Sequence, residues 1–212
     1  MGYGYKLGVD LPSESRGFIP NAQFYNKIYG ENHWSANTII SIAIGQGEIL
    51  ATPLQIANLC ATVANRGWFI TPHVVKEIQD TVLESQYLEK RVPTIDREHY
   101  ESVAEGMRMA VTGGTCRLAA LPDIEVCGKT GTAQNPHGKD HSAFIGFAPY
   151  HAPQIAICVY VENAGFGATY GVPIGSLVME KYLKGQISPQ RKYLEDRMLT
   201  SNTIISSGVK KH

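Results

Sequence analysis

The stretch that decides the fold is VCGKTGTAQ, residues 126–134, followed after a short polar turn by SAFIGFAP, residues 142–149. The second segment is apolar, rich in aromatic residues and stopped by proline, so the pair predicts a β-hairpin. Within the first segment, Lys129-Thr130-Gly131-Thr132 gives one cation, two hydroxyl groups and a glycine in four residues. Such a set on a strand edge suits an anionic carbonyl substrate, because glycine lets a ligand approach the backbone closely.

The flanking segments complete an α+β pattern. Residues 154–162 form a long, nearly all-apolar run, which predicts a central strand buried on both faces. The clearest helix start is Thr52-Pro53-Leu54-Gln55, which offers an N-cap hydroxyl, proline at the first helical position and glutamine three residues after the cap. This helix should stop near Gly67. Its expected buried stripe is Ile56, Leu59, Cys60 and Val63.

Two further helices are predicted from caps and apolar spacing. Asp96 could cap the first, which would end at Gly113-Gly114, and the second begins near Pro173 and ends at Gly185. Their buried residues are expected to be Tyr100, Val103, Met107 and Val111 in the first, and Ile174, Leu177 and Val178 in the second. Ser188-Pro189 is able to open one more short polar helix.

Other parts of the chain show weaker patterns. Residues 8–17 are rich in turn formers, and residues 18–34 show no helical period, so both are expected to be irregular. Residues 38–44 give a short apolar element that ends at glycine. Residues 69–92 are consistent with a peripheral hairpin.

Composition sets broad limits on function. The 212 residues are 43% hydrophobic and 18% charged, as in an ordinary soluble domain, and one domain is the default expectation. Acidic and basic residues balance at 19 each, so neither nucleic acid nor a membrane surface is an expected partner. The four cysteines are far apart without a C-x-x-C and are interpreted as buried thiols. The histidines show no metal spacing, so neither a metal nor another cofactor is predicted.

Gly128-Lys129-Thr130 also matches the end of a phosphate-binding loop, which would indicate a nucleotide hydrolase. That motif requires glycine where this chain has Asp123. It also requires a helix to start at once, and Gly131 and Pro136 oppose one. The nucleotide-hydrolase interpretation is therefore rejected.

Four segments, taken in order, resemble the class B, elongation-type penicillin-binding transpeptidases. They are GVDLPSE at 8–14, AIGQG leading to TPLQ at 43–55, KTGTAQ at 129–134 and FIGFAP at 144–149. The resemblance implies the penicillin-binding and serine β-lactamase-like fold, an antiparallel sheet flanked by helices with residues 129–134 on an edge strand. It also implies that residues 1–185 are the C-terminal part of a transpeptidase domain and that residues 186–212 are a polar extension.

In that family the site combines Ser-x-x-Lys, Ser-x-Asn and Lys-Thr-Gly in chain order. Ser207-Gly208-Val209-Lys210 fits the first pattern but follows the Lys-Thr-Gly, so it is interpreted as a chance match. Ser35-Ala36-Asn37 fits the second pattern but follows residues 8–14, whereas in the family that segment comes after the true Ser-x-Asn. The front part with Ser-x-x-Lys is thus expected to be absent, which would leave this chain without its nucleophile.

The resemblance assigns roles to the remaining motif. Lys129 and Thr132 would be catalytic: Lys129 holds the Ser-x-Asn hydroxyl, and the backbone N–H of Thr132 is one of two oxyanion donors. Thr130, Gly131 and Thr132 would bind substrate, with the two hydroxyls on its carboxylate. Asp140 and His141 look like a catalytic dyad, but a hydrogen-bonded structural role at the strand start is the stronger interpretation.

The whole enzyme, by resemblance, cross-links peptidoglycan stem peptides ending in D-Ala-D-Ala through an acyl-serine intermediate and is acylated by β-lactams. Its parent would face the periplasm from the inner membrane, alongside membrane proteins of the cell-elongation machinery. This chain alone is expected to be soluble and inactive, with an exposed sheet edge that invites pairing with another chain. The alternative kept open is a non-catalytic scaffold or binding module of that machinery.

Overall fold

The computed structural model describes residues 1–203, so the Ser207 match and the tail after it lie outside the described residues. The chain divides into two units, Met1–Asp96 and Arg97–His212. The first unit contains helices α1 (Ala22–Tyr29) and α2 (Pro53–Ala64) and the 3-10 helices Ile40–Ile44 and Ser85–Tyr87.

Helix α2 confirms the start predicted from its cap. The Thr52 side chain accepts the backbone N–H of Gln55, and the Gln55 side chain accepts the backbone N–H of Thr52, which makes a complete capping box. The helix ends at Ala64, before Gly67. Of the predicted stripe, Cys60 and Val63 are buried, whereas Ile56 and Leu59 are only partly buried.

Helix α1 corrects the prediction that residues 18–34 are irregular. The Asn21 side chain caps the helix by accepting the N–H of Phe24 at 2.9 Å, and Tyr25 is its buried residue. The Tyr25 hydroxyl donates to a carboxylate oxygen of Glu48 at 2.8 Å. Burial and the Glu48 carboxylate raise the pKa of Tyr25 to about 12.

The irregular backbone predicted for residues 8–17 is confirmed, and a buried polar side chain fixes the neighbouring backbone. The side-chain amide of Gln55 donates to the backbone carbonyls of Gly2 at 2.6 Å, Tyr5 at 3.3 Å and Arg16 at 2.9 Å. The predicted peripheral hairpin at 69–92 is wrong in detail. Only the isolated bridges of Phe69 with Arg91 and of Ile78 with Thr81 are present in this segment.

The second unit contains the site strand. Its elements, in order along the chain, are helix α3 (Arg97–Thr112), the 3-10 helix Arg117–Ala119, strands β1 (Cys127–Ala133), β2 (His141–Ala148) and β3 (Ile155–Val161), helix α4 (Gly171–Lys184), the 3-10 helix Pro189–Arg191 and helix α5 (Lys192–Thr200). The helix predicted from Ser188-Pro189 is confirmed as the last two of these elements.

The three strands within the described residues form an antiparallel sheet in the order β1-β2-β3. The edge position predicted for residues 129–134 is confirmed for residues 129–133, since β1 ends at Ala133. The prediction of a central, doubly buried third strand is wrong, because β2 is central and β3 is an edge with Tyr160 39% exposed. An apolar run does not distinguish an edge strand that covers a core from a central strand.

One face of the sheet covers the core of this unit. Phe144 and Ala148 of β2 join residues of α3 and α4 in a single apolar cluster. The Phe144 ring fits because Gly128 and Gly175 carry no side chain. A Cβ on either glycine would lie 2.5 Å from that ring. Small residues on β1 and α4 therefore let the sheet and the helix close over one large side chain.

The predicted stripes of α3 and α4 are each partly wrong. Val103 and Val178 are 49% and 48% exposed. In α3, Ala104 is buried in the place predicted for Val103, while Tyr100, Met107 and Val111 are buried as predicted. In α4 the buried face starts at Gly171, before Pro173, and continues through Ser176, Met179 and Glu180, whereas Val178 is exposed. Ile174 is partly buried, and Leu177 is buried as predicted.

Candidate functional site

Strand β1 carries Lys129, Thr130, Gly131 and Thr132 along a sheet edge, with their side-chain positions on alternate faces. Paired residues of an antiparallel sheet share a face. Thr130 pairs with Phe144 of the core face, so Thr130 and Thr132 lie on that side, whereas Lys129 and Gly131 lie on the other. The ammonium group of Lys129 and the hydroxyl groups of Thr130 and Thr132 are therefore on opposite faces of the strand, with its backbone between them.

The Lys129 side chain is exposed, and its ammonium group donates to the backbone carbonyl of Thr130 at 2.8 Å. This bond folds the side chain back along its own strand. An ammonium group has three donors, so Lys129 keeps donors for an anionic ligand at the edge.

Thr115 contacts the candidate site, and the sequence interpretation missed it. Its hydroxyl lies 2.8 Å from the hydroxyl of Thr130, and either one is able to donate. The preceding Gly113-Gly114 indicates only the end of a helix. Nothing in the local sequence pattern indicates that Thr115 contacts Thr130, 15 residues further along the chain. A hydroxyl held by a second hydroxyl is oriented before any ligand arrives, which favours carboxylate binding.

Cys116 is buried next to this hydroxyl pair. Burial raises the pKa of its thiol, and hydrogen bonds with Thr115 and the backbone of Thr130 and the charge of Lys129 oppose the rise. The thiol is therefore protonated at neutral pH, which disfavours a nucleophilic role. The buried-thiol interpretation holds for Cys60, Cys116 and Cys127, and Cys158 is partly buried.

The connection between β3 and α4, residues 162–170, lies against the core-side face of the site strand. Gly167 is buried, and its neighbours are the carbonyl oxygens of Gly131 and Ala143. The Ser142 hydroxyl donates to the carbonyl of Phe166 at 2.9 Å and accepts the N–H of Gly171 at 3.0 Å.

Asp140 and His141 hold the same connection, which confirms the structural role expected of His141. The Nδ1 atom of His141 accepts the N–H of Asn163 at 3.0 Å, and the Asp140 carbonyl accepts the N–H of Gly165 at 2.7 Å. An imidazole whose Nδ1 accepts a backbone N–H carries its proton on Nε2 when neutral.

The Ser35-Ala36-Asn37 match lies in the first unit, in a turn closed by the N–H of Thr38 and the carbonyl of Ser35 at 3.0 Å. A cavity of about 350 Å³ opens between α3 and residues 120–126, and neither Thr115 nor any of residues 129–132 lines it. The guanidinium of Arg108 on its wall is already paired with Glu105 at 2.7 Å and Glu125 at 3.6 Å.

Together, the described residues at the edge of β1 provide a cation, an oriented hydroxyl pair and a strand backbone to a ligand. This donor set suits a ligand that carries a carboxylate and a reactive carbonyl. Among residues 1–203, no helix is long and apolar enough to cross a bilayer.

Residues 1–180 match the family model described as penicillin binding protein transpeptidase domain. The peptidoglycan D,D-transpeptidase MrdA of Haemophilus influenzae is 33% identical over 214 residues, covering 91% of this chain and 33% of that protein. This chain thus spans about a third of that relative.

Solved structures show the same fold. The structure of Pseudomonas aeruginosa PBP2 in complex with WCK 5153 superposes with a TM-score of 0.75 at 32% identity, covering 89% of this chain and 42% of that one. The complex of PBP2 and MreC from Helicobacter pylori gives a TM-score of 0.72 at 28% identity, covering 87% of this chain and 34% of that one.

Proposed function

Since the chain belongs to the family of penicillin-binding protein transpeptidase domains, of the PBP2 type, we propose that it forms one wall of a peptidoglycan D,D-transpeptidase site. Residues 1–185 act as the C-terminal part of the domain, and residues 186–212 extend it. The observation that carries the proposal is the edge strand on which Lys129 stands exposed while Thr115 orients the hydroxyl of Thr130.

The substrate of the complete protein is a stem peptide that ends in D-Ala-D-Ala. Its terminal carboxylate is bound by the hydroxyls of Thr130 and Thr132, with the charge of Lys129 on the other side of the strand. Gly131 presents no side chain, so a ligand is able to approach its backbone closely; a Cβ there would also lie 3.3 Å from the Cβ of Ala143 on β2. A β-lactam, which carries a carboxylate and a strained carbonyl, binds in the same place.

The reaction is acyl transfer through an acyl-serine intermediate. The serine attacks the carbonyl of the penultimate D-Ala, and the terminal D-Ala leaves. The backbone N–H of Thr132 stabilises the oxyanion, and the second donor comes from the nucleophile's own backbone. The serine belongs to a Ser-x-x-Lys segment of the complete protein outside residues 1–212, because the one such pattern in this chain follows the Lys-Thr-Gly.

The complete protein works at the periplasmic face of the inner membrane with membrane proteins of cell elongation. A structural relative from Helicobacter pylori was solved with MreC, which supports such a partner. Within the described residues both β1 and β3 are sheet edges, so pairing with a second chain is a further proposal, tested by measuring the mass of the chain in solution. A non-catalytic scaffold remains the alternative function.

A fluorescent penicillin tests the proposal on residues 1–212 and on the complete gene product. We expect no covalent label on residues 1–212 and one labelled serine in the complete protein. Lys129→Ala should slow acylation about 100-fold, because it removes a charged donor at the reacting edge. Lys139→Ala, which removes an exposed lysine from the turn after β1, is the matched control.

Each other result has a definite meaning. Labelling of residues 1–212 alone would contradict an external nucleophile and direct attention to Ser35 or Ser207. A complete protein that binds its partners but never takes the label would favour the scaffold. Equal acylation rates for Lys129→Ala and Lys139→Ala would show that Lys129 takes no part in the reaction.

A further inference from the structure

Gly167 lies where a side chain of any size would collide with the site strand. A Cβ built on Gly167 would lie 2.6 Å from the carbonyl oxygen of Gly131, 2.4 Å from that of Ala143 and 3.1 Å from the Cβ of Thr130. Its φ is outside the left-handed region, so the requirement for glycine at this position is one of space and not of backbone conformation.

The connection cannot move away to relieve such a collision without breaking hydrogen bonds. Ser142 holds Phe166 and Gly171 on the two sides of Gly167, through bonds of 2.9 and 3.0 Å. The carbonyl of Gly167 itself accepts the N–H of Val172 at 2.9 Å, at the start of α4. An added side chain would therefore displace β1 at least in part.

One of the two carbonyls that a Cβ on Gly167 would meet, that of Gly131, belongs to the same peptide unit as the N–H of Thr132. A peptide unit is planar and nearly rigid, so a force on the oxygen of Gly131 turns the N–H of Thr132 with it. We propose that Gly167 is a positioning residue for the transpeptidase reaction and sets the direction in which the Thr132 N–H meets the developing oxyanion. This inference rests on the proposed function.

The expected fall in the acylation rate constant follows from how oxyanion donors act. Such donors stabilise charge that develops in the transition state, and their effect depends on being aimed before the reaction begins. A methyl group at Gly167 must displace its neighbours by several tenths of an ångström. A displacement of that order should lower the acylation rate constant by about 10- to 100-fold, with a smaller effect on initial binding.

The test compares Gly167→Ala with Gly106→Ala in the complete gene product. Gly106 is the matched control, because it also lacks a left-handed φ and an added Cβ there meets nothing within 4 Å. Stopped-flow acylation by a β-lactam separates the dissociation constant from the acylation rate constant, and the final labelled fraction counts folded sites. We expect a slower acylation step for Gly167→Ala, an unchanged final labelled fraction and wild-type behaviour for Gly106→Ala.

A purely structural role would lower the labelled fraction and leave the acylation rate constant unchanged, which would overturn the inference. Normal labelling of the unsubstituted protein together with a normal rate for Gly167→Ala overturns this inference alone. No labelling of the unsubstituted protein overturns the proposed function and this inference with it. If Gly167→Ala fails to fold, Ser142→Ala decides: it loosens the same connection without adding atoms, and an unchanged acylation rate constant would again overturn the inference.

Discussion

Replacing Arg191 with methionine should destabilise the second unit more than any single surface change. The Nε atom of Arg191 lies 3.0 Å from a carboxylate oxygen of Glu180, without the alignment of a hydrogen bond, so this contact is ionic. The guanidinium also donates to the carbonyl of Ala120 at 2.8 Å and to the hydroxyl of Ser176 at 2.5 Å. Ser188 donates its hydroxyl and its N–H to the other Glu180 oxygen.

The loss of stability expected for Arg191→Met follows from the burial of Arg191 and Glu180. The Glu180 side chain is 0% exposed and that of Arg191 is 12% exposed, so Arg191→Met leaves a carboxylate that water cannot reach. Removing one partner of a buried ion pair costs about 3–5 kcal/mol. Burial lowers the pKa of Arg191 and the charge of Glu180 opposes this, which shows that the guanidinium also depends on its partner. Glu180→Met should cost less, because Arg191 is nearer to solvent.

Hydrogen exchange of the amides of α4 and α5 is the appropriate assay, since both tryptophans, Trp34 and Trp68, lie in the first unit. The double variant Glu180→Met, Arg191→Met removes both charges and should recover most of the loss, to within about 1–2 kcal/mol of the parent. The reasoning is refuted if Arg191→Met costs less than about 1 kcal/mol or if the double variant is as unstable as Arg191→Met.

Two further predictions concern other buried groups. Gln55→Ala should destabilise the first unit by about 2–4 kcal/mol, because it removes the side-chain donor shared by the carbonyls of Gly2, Tyr5 and Arg16; limited proteolysis should then cut residues 1–17 faster, and unchanged cutting would contradict the role of Gln55. Burial raises the pKa of Cys158 to about 11, and only the thiolate reacts with iodoacetamide; alkylation of Cys158 should therefore be slow at pH 8 and still be accelerating at pH 11, whereas a rate that has levelled off by about pH 10 would show an ordinary thiol.

Elements with local signals were predicted well from the sequence. The start of α2 depends on Thr52 and Gln55, which contact each other within one helical turn, so the sequence contains the whole capping box. The pairing of β1 with β2 similarly follows from two adjacent segments and the short turn between them. These contacts form between neighbours in the chain, and spacing alone predicts them.

The errors arise where distant residues decide the outcome. Val103 and Ala104 are both compatible with a helix, and only the direction of the sheet decides that Ala104 faces the core. The third strand is an edge because, among the described residues, only β2 pairs with it, and nothing within residues 155–161 indicates how many strands will pair there. The short α1 was missed because its cap, Asn21, begins a helix of only eight residues with one buried side chain.

The candidate site likewise has features that the local sequence indicates and features that distant residues decide. The identity of the proposed ligand-binding groups is local, since Lys129 to Thr132 are consecutive, and the sequence was enough to propose them. Their orientation is not local: the hydroxyl of Thr130 is held by Thr115, and the peptide between Gly131 and Thr132 is backed by Gly167. Because catalysis depends on how the groups are aimed, a motif transplanted without the residues equivalent to Thr115 and Gly167 should retain its donors but lose most of its rate.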